Sequence, residues 1–278
     1  MARFAQRLVA LPYRRFCGKV VQGYRIGACL GIGGSGVTFE AAAPDGRPVA
    51  LKLLRPLRTS YDIEEVWREV GPLGNVAHPG LPEWLGILRD GRAYFIVLSR
   101  MPGRPLDSWL FEDRHAFKGH EFVDVCLQLI EVLDVLHAAG LTHGDVRPAN
   151  VLYDGEQVSL VDFGLSLGAG ERATDIAGFA DLLLYLLYSS VELSRGTRTK
   201  AESWRDELPL ETSQRRFLDD AFEKPQGFAA KELRLRFVEA FGCGNEQQTP
   251  ALRSPIRTSD VKTTKSVNAC WLLLNLMG

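Results

Sequence analysis

The sequence predicts an α+β fold in which a mostly-strand first third precedes a mostly-helical remainder. Residues 24–54 show a strand-like pattern that is broken by a glycine cluster and by a Pro-Asp-Gly turn at 44–46. Residues 122–137 carry one broad apolar stripe at helical spacing, and residues 176–187 are apolar on nearly every side. A stripe is typical of a helix that packs on one face, whereas an all-apolar helix lies inside a core.

Two shorter elements lie between these regions. Residues 62–70 predict a short helix with Asp62 as its N-cap, because apolar residues recur at helical spacing until Gly71-Pro72 ends the pattern. Residues 94–98 (Tyr-Phe-Ile-Val-Leu) follow an Asp-Gly-Arg turn and have the pattern of a buried strand.

The second half continues with helices and one hairpin. Gly140 follows the striped helix and predicts its end as a left-handed cap. Residues 151–152 and 158–161 predict a hairpin around the Asp154-Gly155 turn. Residues 202–241 predict further helices.

Composition and charge exclude several classes of protein. The chain has 278 residues, of which 46% are hydrophobic, 33 are basic and 34 are acidic, so collagenous, disordered and disulfide-stapled classes do not fit. A net charge of -1 argues against a dedicated nucleic-acid-binding protein. The five cysteines are scattered without a C-x-x-C pair, and no apolar run approaches the length of a membrane span. We therefore expect a cytoplasmic protein.

The two termini differ in composition from the middle of the chain. Residues 1–22 contain five basic residues and no acidic one, which predicts a basic extension. Such a run is more often a solvated tail, but it could contact an anionic membrane or a nucleic acid. Residues 244–278 are rich in Ser, Thr, Lys and Pro and predict a flexible tail. Ser254, Thr258 and Ser259 of this tail lie near Arg253 and Arg257.

A glycine cluster runs from Gly31 to Gly36 within the strand region. The backbone N–H groups of such a turn can approach phosphate oxygens without a side chain in the way. A dinucleotide-binding loop would need a helix directly after the glycines, and the strand pattern continues instead. Lys52 ends an apolar strand, where a buried ammonium needs an anionic partner. Glu69 and nucleotide phosphates are the candidates, and an exposed edge-strand lysine is the alternative.

A set of polar residues follows the striped helix and the hairpin. Asp145 and Asn150 are five residues apart in the segment 143–150 (His-Gly-Asp-Val-Arg-Pro-Ala-Asn), and Asp162 follows in Asp-Phe-Gly. Oxygens of Asn150 and Asp162 are ligands that suit Mg²⁺, and Asp145 could accept a hydroxyl proton. Each residue alone is more often a turn cap, but the ordered set is difficult to explain by chance.

These motifs together resemble the eukaryotic-type serine/threonine protein kinase superfamily over about residues 24–240. The resemblance implies a two-lobed fold, with a small β-rich lobe at 23–101, a larger α-helical lobe at 102–243 and ATP in the cleft between them. It further implies transfer of the γ-phosphoryl group of ATP, with Mg²⁺, to a Ser or Thr hydroxyl of a protein substrate.

The resemblance also implies a role for individual residues. Lys52 would hold the α- and β-phosphates and pair with Glu69, Asp145 would be the catalytic base, and Arg147 would place a charge near the γ-phosphate. The metal ligands would be Asn150 and Asp162. The remaining nucleotide contacts would come from Gly31, Gly33, Gly36, Thr38, Ala50, Ser99 and Met101.

The sequence departs from the kinase pattern between the catalytic loop and the next helix. Gly144 occupies the position at which the family usually has an arginine that binds a phosphorylated activation loop. Asp175, which would support the catalytic loop from beneath, follows Asp162 by only thirteen positions, and the activation segment with its Ala-Pro-Glu end is missing. We therefore predict a compact kinase that activation-loop phosphorylation does not control.

Three other functions are compatible with part of the pattern. A small-molecule phosphotransferase of the aminoglycoside or choline kinase type also uses His-Gly-Asp and lacks the Ala-Pro-Glu segment. An atypical kinase that assists tRNA modification acts mainly as an ATPase and shares the short segment. A non-catalytic scaffold is the least favoured, because Lys52, Asp145, Asn150 and Asp162 are all present.

Overall fold

The computed structural model describes residues 11–32, 36–54, 74–163, 171–191, 193–194, 204–228, 231–242 and 256–257. Its first part is a six-stranded antiparallel sheet with the spatial order β1-β2-β3-β4-β6-β5. The strands are β1 Val20–Val21, β2 Tyr24–Ile32, β3 Gly36–Ala42, β4 Pro48–Leu54, β5 Trp84–Asp90 and β6 Ala93–Ser99.

The two faces of this sheet have different roles because side chains alternate along a strand. Val49, Leu51 and Leu53 of β4 are buried in the core of the small lobe, with Phe39 and Phe95 from the neighbouring strands. Ala50 and Lys52 alternate with them on β4, and their partners across the sheet include Thr38 and Leu98. The sheet therefore has one face for its own core and another that carries Thr38, Ala50 and Lys52.

A short 3-10 helix, Leu11–Phe16, packs against the core face of the sheet. The Phe16 ring is only 4% exposed and lies edge-on to Phe95, with 5.4 Å between the ring centroids. Hydrogen bonds from Gly18 N to Ile26 O and from Ile26 N to Lys19 O continue the pairing of β1 with β2. Residues 11–21 are thus part of the small lobe in this structure.

The larger lobe is helical around two buried helices. Its helices are α1 Gly119–Ala138, α2 Arg172–Ser189, α3 Trp204–Glu207, α4 Thr212–Glu223 and α5 Glu232–Phe241, and a π-helical turn spans Ser108–Glu112. A small sheet joins β7 Arg104–Pro105, β8 Val151–Tyr153 and β9 Val158–Leu160, and Leu193–Ser194 (β10) pairs with Ile256–Arg257 (β11). Along α2, Phe179, Leu182 and Leu183 are fully buried, which explains why this helix is apolar on all sides.

The predicted α+β class is confirmed, as are the two clearest helices and the hairpin at 151–161. Gly140 has φ = +72°, as expected of a left-handed cap. Strand β5 was not predicted; it pairs with β6 through the Asp-Gly-Arg turn at 90–92. The predicted helix at 62–70 lies outside the described residues, as does nearly all of the tail at 244–278. The boundaries at residues 101 and 243 stay predictions, whereas residues 11–21, which were expected in the basic extension, pack on the small lobe.

Candidate active site

The catalytic-loop candidates lie between α1 and β8. A 3-10 turn, Pro148–Asn150, brings Asn150 back towards Asp145. The side-chain amide of Asn150 donates to the Asp145 backbone oxygen at 2.9 Å and to its carboxylate Oδ2 at 2.8 Å. Asn150 is buried, whereas Asp145 is exposed. The loop therefore holds an accessible carboxylate in a fixed position.

Lys52 connects the small lobe to the segment that follows β9. Its Nζ lies 2.7 Å from Asp162 Oδ1 and donates to the Phe163 backbone oxygen at 2.7 Å. Lys52 is 4% exposed, so these two acceptors provide the partners that a buried ammonium requires. Asp162 has φ = +64°, a left-handed conformation that costs a non-glycine residue about 1 kcal/mol. Strain of this kind is common where a side chain must be directed into a site.

Asn150 and Asp162 are joined through the backbone. The Val161 N–H donates to the Asn150 carbonyl at 2.9 Å, which places Asp162 one residue from that contact. The Asn150 amide nitrogen faces Asp145, so its side-chain oxygen is the atom directed elsewhere. Oδ2 of Asp162 is not the atom bound by Lys52. One amide oxygen and one carboxylate form a donor set that fits Mg²⁺, which takes few protein ligands.

His143 links the catalytic loop to the same segment. Its Nε2 lies 3.0 Å from the Val161 backbone oxygen, and its Nδ1 accepts a hydrogen bond from the Asp145 N–H at 3.3 Å. Burial lowers the pKa of His143, against the raising effect of the nearby Asp175 carboxylate. The neutral tautomer with hydrogen on Nε2 satisfies both contacts. The ring also packs 4.9 Å from that of Phe163, so His143 positions the residues around it.

Asp175 supports the catalytic loop from α2. Its Oδ1 accepts from Gly144 N at 2.7 Å, and its Oδ2 accepts from His143 N at 2.9 Å and lies 2.8 Å from His137 Nε2. Burial opposes the charge, but these hydrogen bonds outweigh it and lower the pKa of Asp175. Gly144 has φ = +77°, a conformation that glycine adopts without penalty while its N–H points at Asp175.

The nucleotide-contact candidates lie along the cleft face of the sheet. Thr38 pairs with Lys52 and also with Gly31, and Ala50 pairs with Leu98. Gly36 begins β3 opposite Leu54. These pairings bring Gly31, Thr38, Ala50 and Lys52 together on neighbouring strands.

The connection to the large lobe begins where β6 ends. The Ser99 N–H donates to the Glu83 carbonyl at 2.9 Å, and the Glu83 N–H donates to Ser99 Oγ at 2.8 Å. Met101 is buried two residues later, and the Arg100 guanidinium donates to its carbonyl at 2.9 Å. The backbone from Ser99 to Met101 is thereby fixed beside Ala50's strand.

Arg147 is exposed on the catalytic loop near Asp107. The pairing of β7 with β8, Pro105 opposite Leu152, brings the start of the π-helical turn to the end of the catalytic loop. Burial raises the pKa of Asp107, and the positive charge of Arg147 partly offsets this. The charges of the two side chains therefore interact.

The structure brings Lys52, Asp145, Asn150 and Asp162 into one connected group. Gly33 and Glu69 lie outside the described residues, so the expected Lys52–Glu69 pair stays a prediction. His137, which contacts Asp175 from the last turn of α1, was not predicted as a site residue. A polar residue at that position in an otherwise apolar stripe was the available signal.

Comparison with known proteins places this geometry in a family. The protein kinase domain family matches residues 24–196 of the chain. A probable serine/threonine-protein kinase of Bacillus subtilis (YbdM) is 30% identical over 200 residues, which cover 67% of this chain and 77% of that protein. A probable serine/threonine-protein kinase of Corynebacterium efficiens is 30% identical over 190 residues, 65% of this chain and 28% of that protein.

Plant proteins show a comparable similarity over a shorter stretch. Calcium-dependent protein kinase 8 of Oryza sativa subsp. japonica is 32% identical over 169 residues, which cover 56% of this chain and 30% of that protein. The chain thus spans less than a third of the rice and corynebacterial relatives and most of the Bacillus one. In the ranges that the structure describes, no helix is long and apolar enough to cross a membrane.

Proposed function

The chain belongs to the protein kinase family, and on this premise we propose that it transfers the γ-phosphoryl group of ATP, with Mg²⁺, to a serine or threonine hydroxyl of a protein. The observation that carries the proposal is the connected group Lys52–Asp162 and Asn150–Asp145, which spans the two lobes. The names of the bacterial relatives support a serine/threonine acceptor.

In the proposed reaction each residue stabilises a charge or accepts a proton. The Lys52 ammonium binds phosphate oxygens from the small-lobe side, and oxygens of Asn150 and Asp162 hold the metal. Mg²⁺, when bound, neutralises the negative charge of the phosphates. Asp145 orients the acceptor hydroxyl and takes its proton as the oxygen bonds to the γ-phosphorus and the bond to ADP breaks. Arg147 contributes positive charge at the open side of the loop.

The catalytic loop is supported without a phosphorylated partner. Asp175 receives the N–H groups of His143 and Gly144 directly, and Gly144 carries no side chain that could bind a phosphate. We therefore propose that activity does not require phosphorylation between Asp162 and Asp175.

A small-molecule acceptor is the second candidate. The short distance in sequence between Asp162 and Asp175 favours it, because that segment cradles the peptide in longer kinases. A protein acceptor is preferred here because the chain resembles protein kinases over 67% of its length. The serines and threonines of the tail at 244–278 make autophosphorylation one form that a protein acceptor could take.

The experiment is a transfer assay with γ-labelled ATP and Mg²⁺, with the chain alone and with a generic basic protein. Wild type, Asp145→Asn and the control Asp219→Asn, on α4 beside Arg205, are compared. We expect the wild type to give labelled protein. The amount of label should fall at least about 100-fold in Asp145→Asn and stay unchanged in the control. Phosphate release without labelled protein would contradict the protein-kinase proposal and favour a small acceptor or an ATPase.

A further inference from the structure

The small lobe carries a basic surface built from two segments that are distant in sequence. The first segment, residues 11–25, contributes exposed Arg14, Arg15, Lys19 and Arg25, and the second, the β5–β6 turn, contributes exposed Arg89 and Arg92. We name these six residues the small-lobe basic surface. Residues 11–32 contain no acidic residue, and residues 84–99 contain only Asp90.

Direct contacts join the two segments. Lys19 Nζ lies 3.3 Å from Asp90 Oδ2, and the Gln22 side-chain amide donates to the Arg89 carbonyl at 3.3 Å. The edge strands β1 and β5 also contact each other, so the sheet curls until its two edges meet. The cations therefore share one surface although the chain as a whole has a net charge of -1.

The aromatic rings beneath this surface are covered by its cations. The Arg15 guanidinium and the Lys19 ammonium lie 5.0 and 5.4 Å from the centroid of Phe16, and Arg89 lies 5.5 Å from that of Tyr94. Single-stranded nucleic acids bind through base stacking on exposed aromatic faces. Phe16 is buried, and Tyr13, Tyr24 and Tyr94 are each half-buried, so the described surface offers no fully exposed ring for stacking.

An apolar side chain lies among the cations instead. Val20 is 57% exposed, directly follows Lys19 and pairs with Arg25 across the β1–β2 hairpin. Cations that surround an exposed aliphatic group suit the interface of an anionic bilayer, where the charges meet lipid headgroups. The ten residues before this surface add Arg3 and Arg7, with no acidic residue, to the same end of the sequence.

We propose that the small-lobe basic surface binds an anionic lipid bilayer and so holds the kinase domain against a membrane by charge. This inference does not depend on the proposed phosphotransfer. The six cations lie on the N-terminal turn, the β1–β2 hairpin and the end of the β5–β6 hairpin, whereas Thr38, Ala50 and Lys52 lie on the central strands β3 and β4. The surface and the candidate nucleotide contacts therefore belong to different strands of the small lobe.

The test is co-sedimentation of the full chain with vesicles of phosphatidylcholine and phosphatidylserine (70:30) and with vesicles of phosphatidylcholine alone. The variant Arg89→Glu/Arg92→Glu reverses two charges of the surface. The control Arg216→Glu/Lys224→Glu changes the total charge equally on and beside α4 in the large lobe. A second variant, Arg14→Glu/Arg25→Glu, covers the case in which the first one unfolds, as judged by circular dichroism.

We expect the chain to bind only the vesicles that contain phosphatidylserine, and we expect salt to weaken this binding. Either surface variant should reduce the binding at least roughly tenfold, and the control should leave it unchanged. Equal binding of folded surface variants and control would overturn the proposal. So would a failure to bind phosphatidylserine vesicles, or salt-sensitive binding to a labelled oligonucleotide in place of the vesicles.

Discussion

Replacing Asp175 by Asn tests how strongly the buried carboxylate holds the catalytic loop. Asp175 is fully buried and receives hydrogen bonds from two backbone N–H groups and from His137. The asparagine oxygen can keep the two contacts of Oδ2, but its NH₂ group then faces the Gly144 N–H, which lies 2.7 Å from Oδ1 in the wild type. One charge-assisted bond is lost and a buried donor is left unpaired, which costs about 2–3 kcal/mol of unfolding free energy.

The effect on catalysis follows from the same contact. If the Gly144 N–H loses its acceptor, Asp145 moves with its neighbour, and a displacement of about 1 Å can cost roughly 100-fold in rate. We expect kcat to fall on that scale, with a much smaller change in KM for ATP. The measurements are urea unfolding followed by tryptophan fluorescence, and the transfer assay. Asp124→Asn, exposed on α1, is the matched control, with an expected change within about 0.5 kcal/mol.

The contribution of Asp175 to the unfolding free energy changes with pH in a defined direction. The pKa of Asp175 is lowered in the folded state, so its contribution is complete above the pKa of an unfolded aspartate, about 4, and is lost as the pH falls through the folded value. The difference in stability between wild type and Asp175→Asn should therefore shrink below about pH 4. Equal urea midpoints at pH 7 together with an unchanged kcat would refute the role assigned to Asp175.

Three further predictions concern the loop, the core and regulation. Gly144→Ala should lower the unfolding free energy by about 1 kcal/mol in urea titration, because φ = +77° strains any residue with a Cβ; an unchanged midpoint would contradict this. Phe16→Ala should lower the unfolding free energy by about 3–5 kcal/mol in the same titration. The control Leu235→Ala, at a side chain that is 70% exposed, should change it by less than about 0.5 kcal/mol. Similar effects of the two variants would show that the N-terminal turn is not packed as described. Phosphatase treatment should leave the transfer rate within about twofold, since no phosphate between Asp162 and Asp175 is required; loss of activity would exclude that account.

The regular elements could be predicted because their patterns are local. The stripe of α1 and the all-apolar run of α2 depend only on residues within one helix, and Gly140 adopts the positive φ that a left-handed cap requires. The packing of Phe16 could not be predicted in this way. Its partners Phe39 and Phe95 are far away in sequence, so a short aromatic turn in a basic segment has the pattern of a solvated tail.

In the candidate site, too, the residue types could be predicted from the sequence, whereas the contacts between distant residues could not. The order of Lys52, Asp145, Asn150 and Asp162 indicates the chemistry, because each residue type suits one task in phosphoryl transfer. The sequence did not reveal which acceptor Lys52 contacts, and the structure shows Asp162 and the Phe163 carbonyl. That contact involves Asp162, whose left-handed backbone conformation has no local signature in the sequence.

The most direct test of the central claim is the Mg²⁺ dependence of nucleotide binding. Isothermal titration with a non-hydrolysable ATP analogue is compared in Mg²⁺ and in EDTA for wild type, Asp162→Asn and the control Asp219→Asn. We expect Mg²⁺ to tighten binding at least about tenfold in wild type and control and to have little effect in Asp162→Asn, whose amide keeps an oxygen for Lys52 but loses the charge. The same Mg²⁺ dependence in Asp162→Asn as in wild type would contradict the metal site and the function built on it.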